Sequence, residues 1–251
     1  ALALMALSLC VPRPFAKFIV IAIIICNYSP PFIANVLLRR SSLVLNLSSS
    51  MAERLGLFTI IVFGEVVLGV VNGISKVNNL DFSAWLNFAF AISIVFALWW
   101  IFFTLTSNRN AKSGFVVATS LELLCIPTLM SLGLIAARFS YLFDSNEINQ
   151  SLNIVFNCAV AAFLIGINLM MGLLEYHDIF RSIERPVRMS LLVTAVVLIG
   201  CSLVNFKLDT QYYLLMVLAI LIAEIICLNF FYYNLDEEAR RKVETATAKG
   251  E

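Results

Sequence analysis

The chain contains 251 residues, of which 61% are hydrophobic and 13% are charged, and its formal net charge is +1. Soluble domains use apolar residues for about one-half and charged residues for about one-quarter of the chain, so this composition excludes an ordinary globular protein. The near-neutral charge balance gives no reason to expect a nucleic-acid partner. The partner expected first is the lipid bilayer.

The apolar residues form stretches long enough for an α-helix to cross about 30 Å of hydrocarbon at about 1.5 Å per residue. The strands of a membrane barrel would alternate apolar and polar residues, and the long runs here do not alternate. We therefore predict an all-α, polytopic transmembrane helix bundle with seven complete spans and a partial one at its N-terminus. The complete spans cover approximately residues 17–38, 55–74, 83–106, 115–137, 152–176, 189–206 and 211–233.

These spans are predicted to form a single transmembrane domain, residues 1–234, followed by a charged segment, residues 235–251. Residues 1–11 are apolar but cover only about half of a bilayer, so we interpret them as the end of a helix whose beginning is missing. The charged segment places Glu237 four residues before Arg241, an order that stabilises an exposed helix. It is therefore expected to be a cytoplasmic C-terminal helix or tail.

The distribution of lysine and arginine predicts the orientation of the bundle, because cytoplasmic loops retain positive charge. Alternate loops on one side, together with the C-terminal segment, carry twelve of the 17 lysines and arginines. The other five are Arg13, Lys17, Lys76, Arg138 and Lys207. We therefore expect a multi-pass protein of the plasma membrane with its C-terminus in the cytoplasm.

Three carboxyl groups, those of Glu65, Glu122 and Glu224, lie well inside predicted spans. An ionised acid at the centre of a bilayer costs about 2.5 to 3.5 kcal/mol on insertion scales, so each must face protein or water, find a partner or stay protonated. One interpretation is a proton or cation pathway, and the other is a carboxyl group that hydrogen-bonds adjacent helices. We expect a pathway first at Glu65, then at Glu122 and last at Glu224.

Glu65 belongs to a polar stripe on its helix, because Arg54 and Asn72 fall near the same face at about 100° per residue. Gly69 and Gly73 form a G-x-x-x-G pattern on the same helix, which allows another helix to approach closely. We interpret the glycines as a packing feature and the stripe as a candidate ion pathway.

Prolines interrupt two other predicted spans. Pro127 removes the hydrogen bond to the carbonyl of Leu123 and exposes that carbonyl near Glu122, which makes a plausible cation or proton site. Pro30 and Pro31 remove two consecutive donors near the centre of the first complete span, so a broken helix is expected there. Broken helices build substrate sites in transporters, but proline kinks also occur in spans that transport nothing.

A second line of polar residues runs along the span predicted over residues 152–176. Asn153, Asn157, Asn168 and Glu175 fall within about 40° of one line. Four polar groups cannot all face lipid, so they either line a solvated path or hydrogen-bond to adjacent helices. The sequence leaves both alternatives open, but it predicts which face of the helix points into the bundle.

Residues 52–70 of the helix that contains Glu65, AERLGLFTIIVFGEVVLGV, contain a Glu-Arg pair, then Gly-Leu-Phe, then an apolar run that closes in Gly-Glu. This pattern resembles the signature of the low temperature requirement A (LtrA) family of membrane proteins. The matching positions are Glu53, Arg54, Gly56, Leu57, Phe58, Gly64 and Glu65. The chain departs from the family at Ser50, where members commonly have histidine, and in lacking an amino-terminal helix of the Glu-Leu-Phe-Phe-Asp type. It is thus similar to the carboxyl-terminal two-thirds of such a protein.

The resemblance implies a polytopic membrane protein that the family name links to growth in the cold, and it implies no particular activity. The first functional hypothesis is a secondary transporter or an ion- or proton-conducting protein. In it, Glu65 and Glu122 bind protons, cations or a small solute, while Arg54 attracts an anion or pairs with Glu53. The alternative is a non-catalytic membrane subunit or scaffold. In it, the polar stripe of the Glu65 helix and the polar line of residues 152–176 bind partner helices or a second copy in a homo-oligomer.

Motifs of soluble enzyme chemistry are absent from the sequence. It contains no Gly-rich phosphate loop, no G-x-S-x-G, no H-E-x-x-H and no paired-cysteine metal pattern. We therefore expect no cofactor, no metal site and no catalytic residue. An enzyme that acts on lipid through intramembrane carboxyl groups is the third and least favoured hypothesis.

Overall fold

The computed structural model describes residues 18–19, 21–23, 25–26, 29, 33, 49–77, 81–107, 109–142, 150–176, 181–203 and 209–234. Three sequence predictions lie outside these residues: the partial helix at residues 1–11, the broken helix at Pro30 and Pro31, and the charged segment at residues 235–251. Most of the first complete span, predicted at residues 17–38, also lies outside them.

Six helices of the described chain are long and apolar enough to cross a membrane. They are α1 (Ser49–Ile74), α2 (Phe82–Thr106), α3 (Phe115–Leu142), α4 (Gln150–Leu173), α5 (Arg181–Leu203) and α6 (Thr210–Tyr233). The all-α, polytopic class predicted from the sequence is therefore confirmed. The predicted count of seven complete spans is one higher than the number that the described residues form.

The C-terminus of α4 lies at Leu173, three residues before the predicted end, because the chain after it pairs with another segment. A β-bridge joins Leu174 to Ala111, which lies in the connection between α2 and α3. The amide of Glu175 donates to the carbonyl of Asn110 over 2.7 Å. The amide of Glu175 is therefore not available for another helical turn, and the last helical bond is that of Leu174 to the carbonyl of Met170.

The N-terminus of α5 lies at Arg181, eight residues before the predicted start. The added turns contain an ion pair in which Arg188 Nη1 lies 3.5 Å from Glu184 Oε1. An acidic residue four positions before a basic residue stabilises a helix. The helix therefore extends beyond the apolar run from which the span was predicted.

The central helix of the bundle is α4. In the most apolar stretch of 18 residues of this helix, 67% is buried inside the protein, compared with 33% to 44% in the corresponding stretches of the other five helices. It packs against α2, α3 and α5. The ring of Phe163 on α4 lies 6.0 Å from those of Phe63 on α1 and Phe102 on α2, measured between centroids. The core of the bundle thus lies around α4.

Two glycines bring neighbouring helices into close approach. A Cβ atom at Gly69 on α1 would overlap the carbonyl oxygen of Ala136 on α3, and a Cβ atom at Gly166 on α4 would overlap the Thr128 side chain on α3. The hydroxyl of Ser140 on α3 also donates to the carbonyl of Gly69 over 3.3 Å. The close helix approach predicted from the G-x-x-x-G pattern is therefore confirmed at Gly69.

We expect Gly69→Ala to destabilise the bundle, because the added methyl group meets backbone atoms of α3, which can move only with the helix itself. Overpacking of this kind costs about 1 to 3 kcal/mol. The midpoint of thermal unfolding, measured on protein purified in detergent, should fall by several degrees.

The matched control for this variant is Gly133→Ala on α3, where no atom lies within 4 Å of an added Cβ atom. Alanine at an exposed helical glycine is neutral or stabilising. Equal unfolding midpoints for the two variants would contradict the packing role of Gly69.

Candidate functional site

A cavity of about 260 Å³ lies between α2, α4, α5 and α6, at the end of the bundle where α6 terminates. We call it the tyrosine cavity, after Tyr176 and Tyr232 in its wall. Apolar groups dominate the wall and a few polar groups interrupt them, which is the composition typical of small-molecule sites. The lining residues are Trp100, Thr104, Leu105, Arg109, Met171, Tyr176, Ile183, Glu184, Val187, Leu228, Asn229 and Tyr232.

Tyr176 connects the cavity wall to the end of α2. Its hydroxyl donates to the carbonyl oxygen of Leu105 over 2.8 Å. This carbonyl lies in the last turn of α2, where a helix has no backbone donors of its own. Burial raises the pKa of the Tyr176 phenol above its ordinary value, so the phenol keeps the proton that this hydrogen bond requires.

Arg109 adds a positive charge to the wall of the cavity. Its guanidinium carbon lies 5.0 Å from the centroid of the Tyr176 ring, within the range of a cation–π interaction. Burial lowers the pKa of this guanidinium, and the nearby Tyr176 opposes the change. Arginine nevertheless stays charged at neutral pH, because its ordinary pKa lies far above 7. Since Glu184 also lines the cavity, the wall contains charged residues of both signs.

Glu224 lies inside the bundle, with only 3% of its surface exposed. Ser190 Oγ donates to Glu224 Oε1 over 2.8 Å, and Thr194 Oγ1 donates to Glu224 Oε2 over 2.7 Å. Both hydroxyl groups come from α5, which packs against α6. A hydroxyl group can donate to a carboxylate or accept from a protonated carboxyl, so these contacts suit both states of the acid.

The Glu224 carboxyl group lies about one helical turn behind the wall of the tyrosine cavity. Leu228, four residues later on α6, lines the cavity, and one turn of helix rises about 5.4 Å. Val187 lines the cavity from α5, and Ser190 Oγ lies 2.9 Å from its carbonyl oxygen. The Ser190 hydroxyl is therefore within hydrogen-bond distance of both the cavity wall and the buried acid.

The line of polar residues predicted over residues 152–176 lies mostly on α4, and we call it the seam of α4 (Asn153, Asn157, Asn168 and Glu175). Two residues of this seam form hydrogen bonds to neighbouring helices at the end of the bundle opposite the tyrosine cavity. Asn153 Oδ1 accepts from Arg138 Nη2 on α3 over 3.1 Å. Asn157 is 1% exposed, and its Oδ1 accepts from the hydroxyl of Tyr213 on α6 over 2.7 Å. We call the side chains of Arg138, Asn153, Asn157 and Tyr213 the arginine cluster.

At the cavity end of α4, Asn168 Nδ2 donates to the carbonyl oxygen of Arg188 on α5 over 2.5 Å. Glu175, the fourth residue of the seam predicted from the sequence, lies beyond the end of α4 and is exposed. The three asparagines thus connect α4 to other helices, which favours the packing interpretation of the seam over a solvated path.

The polar residues of α1 that the sequence singled out lie on its exposed face. Glu53, Arg54, Glu65 and Asn72 are all exposed, whereas Glu122 on α3 is half-buried. None of these five residues lines the tyrosine cavity. The structure therefore brings Glu224 next to the cavity and leaves Glu65 on a separate surface of the bundle.

Sequence reasoning missed the hydroxyl pair that holds Glu224 and the two cavity residues Arg109 and Tyr176. Ser190 and Thr194 are four residues apart in an apolar helix and so share one face, a signal that could have marked a polar contact. Arg109 and Tyr176 lie after the ends of different helices, and only the pairing of those segments brings them together. No local pattern predicts such a contact.

A family model described as bacterial low temperature requirement A protein (LtrA) matches residues 1–248 of the chain. No curated protein and no solved structure matches it. The family match covers α1 to α6 and therefore every residue of the tyrosine cavity, the Glu224 site and the arginine cluster.

Tyr176→Phe is expected to destabilise the protein, because it leaves the carbonyl of Leu105 without its donor. A buried acceptor that loses its partner costs about 1 to 3 kcal/mol. Thermal unfolding in detergent measures the loss. Tyr232→Phe is the matched control, since it removes a second phenol oxygen from the same cavity wall. Equal losses in the two variants would contradict a capping role for Tyr176.

The pH dependence of this stability difference gives a second measure of the same contact. The pKa of Tyr176 is higher in the folded state than its ordinary value of 10.0. The contribution of Tyr176 to the free energy of unfolding is therefore constant below about pH 10 and falls as the pH rises above that value. The gap between wild type and Tyr176→Phe should therefore narrow above about pH 10. A gap that stays constant there would contradict the assigned proton donor.

Proposed function

The chain belongs to the bacterial low temperature requirement A (LtrA) family, and we propose that it is a proton-conducting or proton-coupled membrane transport protein. The observation that carries this proposal is the position of Glu224, a carboxyl group inside a membrane span and about one turn behind the tyrosine cavity. Ionisable groups within membrane spans are costly and rare, and many of those that occur belong to proton relays or ion pathways.

The hydrogen bonds of Glu224 support a proton-exchanging role. Ser190 and Thr194 are neutral, and no arginine or lysine of the described helices forms an ion pair with the acid. A fixed cation would hold the group in its ionised state, whereas hydroxyl groups can reverse the direction of their hydrogen bonds. The site can therefore gain or lose a proton while its two contacts persist.

We propose that protons reach this acid from one side of the membrane through the tyrosine cavity. The cavity lies where α6 terminates, and the distribution of lysine and arginine in the sequence predicts that this end faces the cytoplasm. Its wall contains charged residues of both signs, Arg109 and Glu184, beside aromatic rings, so it can admit water or a small polar solute. We therefore assign proton uptake from the cytoplasm to this route.

Proton flux into liposomes tests the proposal. Purified protein is reconstituted with an internal pH-sensitive dye, and a pH gradient or a potassium–valinomycin potential is applied. Wild-type protein should conduct protons faster than protein-free liposomes, and Glu224→Gln should reduce the protein-dependent flux at least about tenfold, because an amide cannot exchange the proton. Wild-type flux equal to that of protein-free liposomes would make the proposal wrong.

Asp209→Asn is the matched control, since Asp209 is an exposed acid that precedes the same helix and its side chain makes no capping hydrogen bond. This variant should retain wild-type flux. The same assay tests the sequence-based candidate Glu65: if Glu65→Gln abolishes flux and Glu224→Gln does not, the pathway follows the exposed face of α1 instead.

A second candidate function is that of a membrane subunit or scaffold, and the exposed face of α1 favours it. An acid at an exposed position within a membrane span is costly unless another protein surface covers it. Arg54, Glu65 and Asn72 lie on that face together. Partner helices or a second copy of the chain would satisfy these groups.

The mass of the purified particle, measured by light scattering, tests the second candidate. A scaffold or subunit should be larger than the single chain of 27.9 kDa, and Glu65→Trp should dissociate it by steric overlap. Met130→Trp, at an exposed position on α3, is the control and should leave the mass unchanged. A single-chain mass for the wild type would exclude this function.

A further inference from the structure

Arg138 is a buried cation whose hydrogen bonds are incomplete. The residue is 6% exposed, and its Nη2 donates to Asn153 Oδ1 over 3.1 Å. Its Nε and Nη1 atoms are also buried, and neither has a hydrogen-bond partner among the described residues. A guanidinium carries five N–H donors and keeps its charge in proteins. A buried charge in this condition is strongly unfavourable unless something else binds to it.

Among the residues that the structure describes, the side chains around Arg138 are polar or aromatic, and no acidic side chain forms an ion pair with it. Asn153, Asn157 and Tyr213 are neutral, and no carboxylate of the described residues forms an ion pair with the arginine. The rings of Phe139 and Phe156 pack 5.2 Å apart beside the cluster, measured between centroids. The four side chains of the cluster therefore carry a net positive charge, and this pair of aromatic rings packs next to Tyr213.

We propose that the arginine cluster binds an anionic group with two oxygen atoms, a carboxylate or a phosphate, through the guanidinium of Arg138. The planar fork of a guanidinium matches two such oxygens at once, and the low dielectric of a buried site strengthens the attraction. The cluster lies at the opposite end of the bundle from the tyrosine cavity. The proposal therefore does not depend on proton conduction.

The anion can come from two sources, a dissolved solute or the phosphodiester of an acidic lipid. Arg138 lies three residues before Tyr141, where its membrane span ends. That depth is close to the headgroup region, because the ends of a span lie near the edges of the hydrocarbon. The shared chemistry is an oxyanion, and the experiment separates the two sources.

The experiment measures thermal unfolding of delipidated wild-type protein in an uncharged detergent. One arm adds sodium phosphate or sodium acetate, with sodium chloride at equal ionic strength as reference. The other arm adds phosphatidylglycerol, with phosphatidylcholine as reference. Saturating ligand should raise the midpoint by about 2 to 4 °C in one arm, which identifies the source. No rise over the reference in either arm overturns the proposal.

Three variants assign the effect to Arg138. Arg138→Gln should abolish the rise, and Arg138→Lys, which keeps the charge but loses the fork, should weaken binding about tenfold. Arg185→Gln, which alters an exposed arginine of α5, should respond as the wild type does. If Arg138→Gln fails to fold, the lysine variant still decides: a response of Arg138→Lys equal to that of wild type overturns the assignment.

Discussion

Hydrocarbon offers no hydrogen-bond partners, so the polar side chains buried in the bundle bond to other side chains or to backbone groups of the protein. Asn157 is bonded to Tyr213, and Glu224 is bonded to Thr194. Asn168 reaches the backbone of α5. Each of these bonds joins two different helices, so the groups that lipid cannot solvate also fix which helices are neighbours. These buried polar side chains therefore stabilise the packing of the helices, and one of them, Glu224, is also the candidate proton-exchanging group.

Close packing also determines which helices associate. Lipid tails are as apolar as the helices, so the hydrophobic effect contributes little to helix association. Gly69 and Gly166 allow α1 and α4 to contact α3 at the level of backbone and Thr128. The aromatic contacts around Phe163 then fill the space between α1, α2 and α4. As a result α4 is enclosed, and its asparagine side chains form their hydrogen bonds within the protein.

The two ends of the bundle have different chemistry, which follows from where the charged residues lie. At the cavity end, Arg109 and Glu184 place both signs of charge around a space that borders a buried acid. At the opposite end, Arg138 lies among neutral amides and a phenol. The bundle thus contains a buried acid about one turn from the cavity and a buried cation at the opposite end, and the two proposals rest on these separate sites.

The sequence by itself determined the helical class and six of the spans, because span length and hydropathy are local properties. It also predicted the inward face of α4, since a polar line at helical spacing cannot face lipid. Only the tertiary structure distinguished the surroundings of Glu65 from those of Glu224, which look alike as single acids in apolar runs. Burial depends on which face a neighbouring helix covers, and α5 covers Glu224 with two hydroxyl groups, whereas Glu65 stays exposed. The tyrosine cavity was likewise beyond sequence reasoning, because its residues meet only when four helices and two connecting segments pack together.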